Sequence, residues 1–301
     1  MPVPIWLVTG GAGFIGGNFV LDAVAAGVCV VNLDALTYAG LAAADRIAQA
    51  TGCKLFCETF NASHVRGAGI PSVERIPYFR ELALAALAPY AQVVLVGSLP
   101  PVAFFASPGE ASELTASGTR IVRLDEVHSP LAFLERIADR IAADQVPRAN
   151  PRVIADPPTG PLTPRAIWAV INRLLPEGAL LADEAGVTSV GADATLQGAA
   201  PHCVMNLTGG SIGQGLPLAT GAAIARPNAR VLALHGDGGA MYTLQALWTQ
   251  VREAARVVNI ILRNDRYAIL DHEVKRHGLG PLAAKGAAMF ELRQPELDWV
   301  A

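Results

Sequence analysis

The 301-residue sequence has little charge, little cysteine and almost no lysine. Charged residues make up 16% against 52% hydrophobic, the reverse of the balance that keeps a chain disordered. Lys and Arg number 23 against 26 Asp and Glu, a formal net charge of −3. There is no basic surplus to hold nucleic acid. The first positive residue is Arg46, so the charged start of a signal peptide is missing and the expected location is cytoplasmic. Four cysteines, Cys29, Cys53, Cys57 and Cys203, are too few for a disulfide framework. They read as free buried thiols. Cys53 and Cys57 fall on one face of a strand, and nothing nearby completes a zinc set. Residues 82–106 carry no charge and are long enough to cross a bilayer. Pro89, Gln92, Gly97, Pro100 and Pro101 punctuate that run. It therefore reads as a helix over 82–87, a turn, and a buried strand over 93–97, with no membrane span.

What is present is apolar runs alternating with glycine, the pattern of an α/β protein with buried parallel strands. Strands are expected at 5–8, 28–33, 54–57, 93–97 and 121–124. Helices are expected at 14–26, 41–50 and 131–143. Six prolines between 144 and 164 mark a linker. Thr163 then caps a helix with Pro164 in its first position. Ile167, Val170, Ile171 and Leu174 form that helix's expected apolar stripe. Strands follow at 179–182, 231–234 and 257–262, with a helix at 216–225. Leu244, Leu247, Trp248 and Val251 mark a further helix at i, i+3, i+4, i+7.

The unit from Val231 to Asn264 is strand, helix, strand. Such a crossover makes the strands parallel, and ligands bind outside the carboxyl ends of such strands. Asp237 leaves the first strand and Asn264 the second. A carboxylate, an amide oxygen and a backbone carbonyl after Asn264 are hard oxygen donors, suited to Mg²⁺ and, through it, to a diphosphate. Gly238 and Gly239 allow close approach of backbone, and the N–H groups near residues 240–243 face the anion. Taken alone, Gly236-Asp237-Gly238 is equally a tight turn. Thr208 to Pro217 holds four glycines in seven residues. That is either a flexible loop or a backbone passing close to something bulky, and the apolar Ile212 within it points to a packed surface. Asp183-Glu184-Ala185-Gly186 is a third strand-end turn.

Gly236-Asp237-Gly238, 25 residues, then Asn264 resembles the thiamine diphosphate binding motif. The text from Gly238 to Gln250, with Tyr267-Ala268-Ile269-Leu270, is similar to acetolactate synthase large subunits and their benzoylformate decarboxylase-like relatives. The resemblance covers residues 41–301. It implies Rossmann-like parallel sheets with helices on both faces. Residues 41–143 would be part of a middle domain, 144–164 a linker, and 165–301 the thiamine diphosphate and Mg²⁺ domain, ending early. It implies Asp237, Asn264 and the Arg266 carbonyl as metal ligands. Gly210 would accept from the aminopyrimidine, with Ser211 beside it, and Ile212 would prop the cofactor into its bent shape. Glu184, Ala185, Gly186 and Val187, with Gly236, Gly238, Gly239 and Ala240, would hold the diphosphate. Tyr267 and Leu270 line the substrate pocket or are plain core. One departure is Arg263, where the family has asparagine. The implied reaction decarboxylates a 2-keto acid such as pyruvate and joins the fragment to a second carbonyl. No residue matches the family's pyrimidine-domain glutamate, so no catalytic residue is assigned. The isolated chain is expected to be inactive, either a homo-oligomer or a partner for a chain carrying that domain. A non-catalytic cofactor-binding or dimerisation fragment is the further alternative.

Residues 1–40 read differently. Gly10, Gly11, Gly13 and Gly16 follow a strand and open a helix, and Asp34 ends the next strand. This is the dinucleotide fingerprint in its proper context. With Asn32 to Gly40 it resembles the start of a dTDP-glucose 4,6-dehydratase, which makes the chain a chimera and that NAD-dependent activity the alternative function. That class needs Tyr-x-x-x-Lys, whose lysine lowers the tyrosine pKa. The only lysines, Lys54, Lys275 and Lys285, follow Ala50, Asp271 and Pro281 at that spacing, so the pair is missing. One β-α-β unit cannot bury a pyridine dinucleotide by itself, so NAD is expected to bind Gly10, Gly13, Gly16 and Asp34 weakly or not at all. A micromolar dissociation constant by calorimetry, lost on Asp34→Ala, would overturn that expectation.

Overall fold

The computed structural model describes residues 30–33, 38–106, 108–123 and 130–300. The glycine fingerprint, Asp34 and the elements expected at 5–8 and 14–26 lie outside the described residues. The chain divides into two compact units, one up to Pro151 and one from Arg152 onward.

In the first unit the strands are β1 (Val30–Leu33), β2 (Lys54–Cys57), β3 (His64–Arg66), β4 (Glu74–Arg75), β5 (Gln92–Val96) and β6 (Arg120–Arg123). The helices are α1 (Tyr38–Thr51), α2 (Arg80–Leu87) and α3 (Pro130–Ile141). Five strands pair in parallel, in the order β4-β2-β1-β5-β6. Every residue of β5 is buried, as its uncharged run requires. No helix among the described residues is long and apolar enough to cross a membrane. Cys53, Cys57 and Cys203 are free thiols.

The proline-rich stretch has neither helix nor strand between Ile141 and Pro164, yet its backbone is tied down. The Arg148 backbone and guanidinium donate to buried Asp45, and Asn150 donates to the Ile70 carbonyl. Past the division, Val153 donates to Gly198 and Ala155 to the Asn172 side chain.

The second unit contains α4 (Pro164–Leu174), β7 (Ala179–Glu184), α5 (Ala192–Leu196), β8 (His202–Asn206), α6 (Gly215–Ala225), β9 (Val231–Gly236), α7 (Asp237–Ala240), α8 (Gln245–Arg252), β10 (Val257–Leu262), α9 (Ala268–Arg276) and α10 (Ala284–Ala288). Its strands run parallel in the order β10-β9-β7-β8. Thr163 caps α4, its hydroxyl accepting from Ala166 N at 3.2 Å, with Pro164 in the first turn. Alternation along β7 and β9 divides the core between two faces, because successive side chains point oppositely. Leu181 and Leu234 pack with Trp168, Ile171 and Leu175 of the α4 segment and with Leu196 of α5. Ala182 and Ala233 pack with Leu216, Ala219 and Ala223 of α6 and with Ala246 of α8. Helices thus cover both faces of this sheet.

Two expected stripes differ from those observed. In α4 the buried residues are Trp168, Ile171 and Asn172, while Leu174 is 72% exposed. Trp168 takes the inward position because its indole N–H finds the Thr188 carbonyl at 2.7 Å, the partner a buried indole needs. At α8, the N-cap Leu244 and the helical Trp248 and Val251 face outward, and Val251 is 83% exposed. The sheet side of α8 is Ala246 and Gln250. Gln250 is held there by polar pairs, donating to Thr220 Oγ1 at 3.1 Å and accepting from Asn259 Nδ2 at 2.7 Å.

Candidate functional site

The carboxyl ends of the four adjacent strands carry all the segments singled out in this unit. Along the sheet, β10 is followed by 264–267, β9 by 236–240, β7 by 184–187 and β8 by the glycine loop 208–215. A Cβ at Gly236 would stand 4.0 Å from the Ala185 carbonyl oxygen, so the β9 and β7 turns are neighbours.

Asp237 opens α7 and is 2% exposed. Its Oδ1 accepts from Gly238 N at 3.0 Å and its Oδ2 from Asp265 N at 2.8 Å. The second bond seats the whole 264–266 turn on Asp237. Asp265 holds φ at 59°, a strained value for a non-glycine residue. Asn264 Oδ1 accepts from Arg266 N at 3.1 Å. The Arg266 carbonyl accepts from Ala268 N, and its guanidinium pairs with Asp271 at 2.8 Å. Arg263 points away, pairing with Asp265 at 2.5 Å and Glu296 at 2.8 Å. These two carboxylates raise its pKa. Asp237 makes no ion pair among the described residues, where no group of three or more His, Cys, Asp or Glu side chains could hold a metal either. Buried carboxylates are normally paired or bound to metal, so this all-oxygen corner fits a hard divalent cation.

Glu184 ends β7 with its side chain 5% exposed. Its Oε1 accepts from Gly213 N at 2.5 Å and its Oε2 from Gly215 N at 2.7 Å. Nε2 of His235, which is fully buried, accepts from Leu216 N at 3.0 Å and lies 3.1 Å from Glu184 Oε2. Thr243 Oγ1 donates to the Gly213 carbonyl at 2.6 Å. Ile212, beside them, is 53% exposed. Gly186 and Gly210 hold φ at 59° and 70°. Ala185 is buried, Val187 44% exposed, and Ser211 exposed.

Close approach matters at several glycines. A Cβ on Gly238 would meet the Tyr267 ring at 2.7 Å, so that ring, and not open space, lies against Gly238. One on Gly239 would meet Glu184 Oε1 at 3.0 Å. Leu270 is 40% exposed and is not core. A Cβ on Gly215 would stand 2.4 Å from His235 Nε2 and 3.1 Å from Glu184 Cβ. Gly215→Ala is expected to lower stability by about 1–3 kcal/mol, as overpacking does. Gly221→Ala, in the same helix with nothing within 4 Å, is expected to raise it by about 0.5–1 kcal/mol. Denaturant midpoints of the two variants check the contrast.

The sequence reading did not single out β8, His235 or Thr243. His235 had a signal, a lone polar residue between the apolar run Val231–Leu234 and Gly236; the Thr243 side chain had none. A cavity of about 570 Å³ at the other end of these strands, beside Glu177, Arg226, Arg230 and Arg256, contains none of the site residues.

Residues 185–297 match the family described as thiamine pyrophosphate enzyme, C-terminal TPP binding domain. The chain is 40% identical over 272 residues to the Mycobacterium tuberculosis protein IlvX, provisionally named an acetolactate synthase large subunit. That alignment covers 90% of this chain and 53% of IlvX, so the chain spans about half of that relative's length. A 35-residue stretch, 12% of the chain, is 86% identical to dTDP-glucose 4,6-dehydratase from Xanthomonas campestris pv. campestris, covering 10% of that protein. The solved thiamine diphosphate-dependent 4-hydroxybenzoylformate decarboxylase of Rhodococcus jostii shares the fold, with a TM-score of 0.62 at 20% identity, over 96% of this chain and 52% of that one. The chain therefore resembles acetolactate synthase large subunit-like thiamine diphosphate enzymes over most of its length, with their C-terminal cofactor-binding domain at residues 185–297, and a dTDP-glucose 4,6-dehydratase over one short stretch.

Proposed function

We propose that the second unit binds thiamine diphosphate through Mg²⁺ and serves 2-keto acid decarboxylation and carboligation of the acetolactate synthase kind, with pyruvate the simplest substrate. One observation carries the reading: the buried carboxylate of Asp237, which makes no ion pair among the described residues, is bonded to the turn that holds Asn264 and Arg266. Asp237, the Asn264 amide oxygen and the Arg266 carbonyl would hold the metal. The backbone of residues 184–187 and 236–240 would hold the diphosphate. Gly210, Ser211 and Ile212 would face the aminopyrimidine, and Tyr267 would flank the site. Thiamine diphosphate, when bound, supplies the electron sink for cleaving a bond next to a carbonyl. The chain's own part is to fix the cofactor and keep its bent shape.

Catalysis in this reading takes a proton-transferring carboxylate from a pyrimidine domain on another chain. The outward apolar side chains Tyr242, Leu244, Trp248 and Val251 favour pairing with a second chain, since contiguous exposed apolar surface marks contact sites. Residues 41–143 would be the later part of a middle domain, and the chain a cytoplasmic chimera of two parents. The test is a thermal shift with thiamine diphosphate, with and without Mg²⁺, on the chain and on Asp237→Ala.

A further inference from the structure

We propose that Glu184 is a positioning residue: with Thr243 and His235 it clamps the glycine loop 208–215 in one conformation before any cofactor arrives. Glycines at 209, 210, 213 and 215 give that loop more backbone freedom to lose than any other residue type would. Gly209, Gly210 and Gly213 hold φ at 67°, 70° and 93°, so the observed path needs them. Something must then select one path. Both oxygens of Glu184 are spent on it, at Gly213 N and Gly215 N. Thr243 takes the Gly213 carbonyl and His235 takes Leu216 N. Gly213 is thus pinned at both its N–H and its C=O. One imidazole nitrogen cannot accept from Leu216 and donate to Glu184 at once, and the two glycine bonds to Glu184 stand in either case.

This gives Glu184 a different task from holding the diphosphate. Its carboxylate lies beneath the loop, 5% exposed, and a carboxylate facing a diphosphate would repel it. What the clamp presents outward is Ile212, the residue before Gly213, apolar and 53% exposed. A loop held in its binding form beforehand raises apparent affinity by the fraction of chains in that form. The cofactor half of this inference rests on the function proposed above; the clamp itself does not.

Hydrogen exchange on the full chain without cofactor tests the clamp. In Glu184→Ala the Gly213 and Gly215 amides are expected to exchange about 10- to 100-fold faster, the factor for losing a hydrogen bond to a charged group. The β8 and β9 amides should keep their protection. Glu184→Gln offers one acceptor oxygen for two N–H groups, so one of the two amides should stay protected. Affinity for thiamine diphosphate with Mg²⁺ should fall in Glu184→Ala in proportion to the closed fraction that the exchange rates give, so it falls measurably only where the open loop becomes a large share of the chains, with partial rescue in Glu184→Gln. Unchanged exchange at both glycines in Glu184→Ala would overturn the clamp. Should that variant lose β8 and β9 protection too, wild-type exchange at both glycines in Glu184→Gln would overturn it. Exchange at both glycines near the unprotected rate, with affinity unchanged, would remove the positioning role. A wild-type chain that takes no cofactor would sink the proposed function, while the exchange rates still decide the clamp.

Discussion

Thiamine diphosphate is expected to raise the melting temperature of this chain only with Mg²⁺ present, and Asp237→Ala is expected to remove the whole shift. A ligand that binds the folded state alone stabilises it by about 2.7 kcal/mol at 100 times its dissociation constant. For a unit of this size each kcal/mol moves the midpoint by about 2–4 °C, so the shift should be about 5–10 °C. The metal dependence follows from the donors. Asp237 is the one carboxylate of the set, beside an amide oxygen and a backbone carbonyl, and two neutral oxygens hold a divalent ion poorly without it. Asp237 also accepts from Gly238 N and Asp265 N, so the alanine variant will melt lower even without ligand. Asp237→Asn separates the two effects, since it keeps an acceptor oxygen and loses the charge. Both variants should lose the Mg²⁺-dependent shift, and Asn should start nearer the wild-type midpoint. An equal shift in EDTA would remove the metal from the site.

The site was legible in the sequence where chemistry and strand ends coincide. The apolar runs at 179–182, 231–234 and 257–262 appear as β7, β9 and β10, each two residues longer or identical. They lie side by side, so the turns at Glu184, Gly236 and Asn264 share one edge. Periodicity was less informative about what a face meets. Leu247, Trp248 and Val251 of the stripe do lie on α8, with Leu244 as its N-cap, but the buried positions are Ala246 and Gln250, and only Leu247 of the stripe packs against the core. A buried glutamine looks polar until its partners Thr220 and Asn259 are known, and these lie 30 and 9 residues away in sequence. Strand β8 was missed because His202, Cys203 and Asn206 break its apolar pattern, and its place is decided by pairing with β7. The family resemblance places Glu184 in the turn whose backbone would hold the diphosphate, and says nothing of its side chain. Its tie to Gly213 and Gly215 is a long-range contact that no local spacing displays.

The chain alone is expected to consume no pyruvate above a cofactor-only control, and turnover is expected once a second chain carrying a pyrimidine domain is added. The carboxyl edge of the second unit offers two buried carboxylates, and neither is free to move a proton. Asp237 is engaged with Gly238 and Asp265 and is proposed above to hold the metal. Glu184 has both oxygens on the glycine loop. A site without its proton-transfer group loses about 10²–10⁴ in rate, and a cofactor held on one side only is also held more weakly. The two losses can be told apart. Saturating thiamine diphosphate and Mg²⁺ would restore activity if weak binding were the whole deficit, whereas a missing proton-transfer group leaves the rate at the control at any concentration. An added chain supplying the carboxylate should then raise the rate in proportion to complex formed, and a partner lacking that carboxylate should bind without restoring it. Clear turnover by the chain alone would mean that one of its own groups moves the proton. The carboxylates near Asn264, with half-buried Asp271 first, would then be the positions to replace.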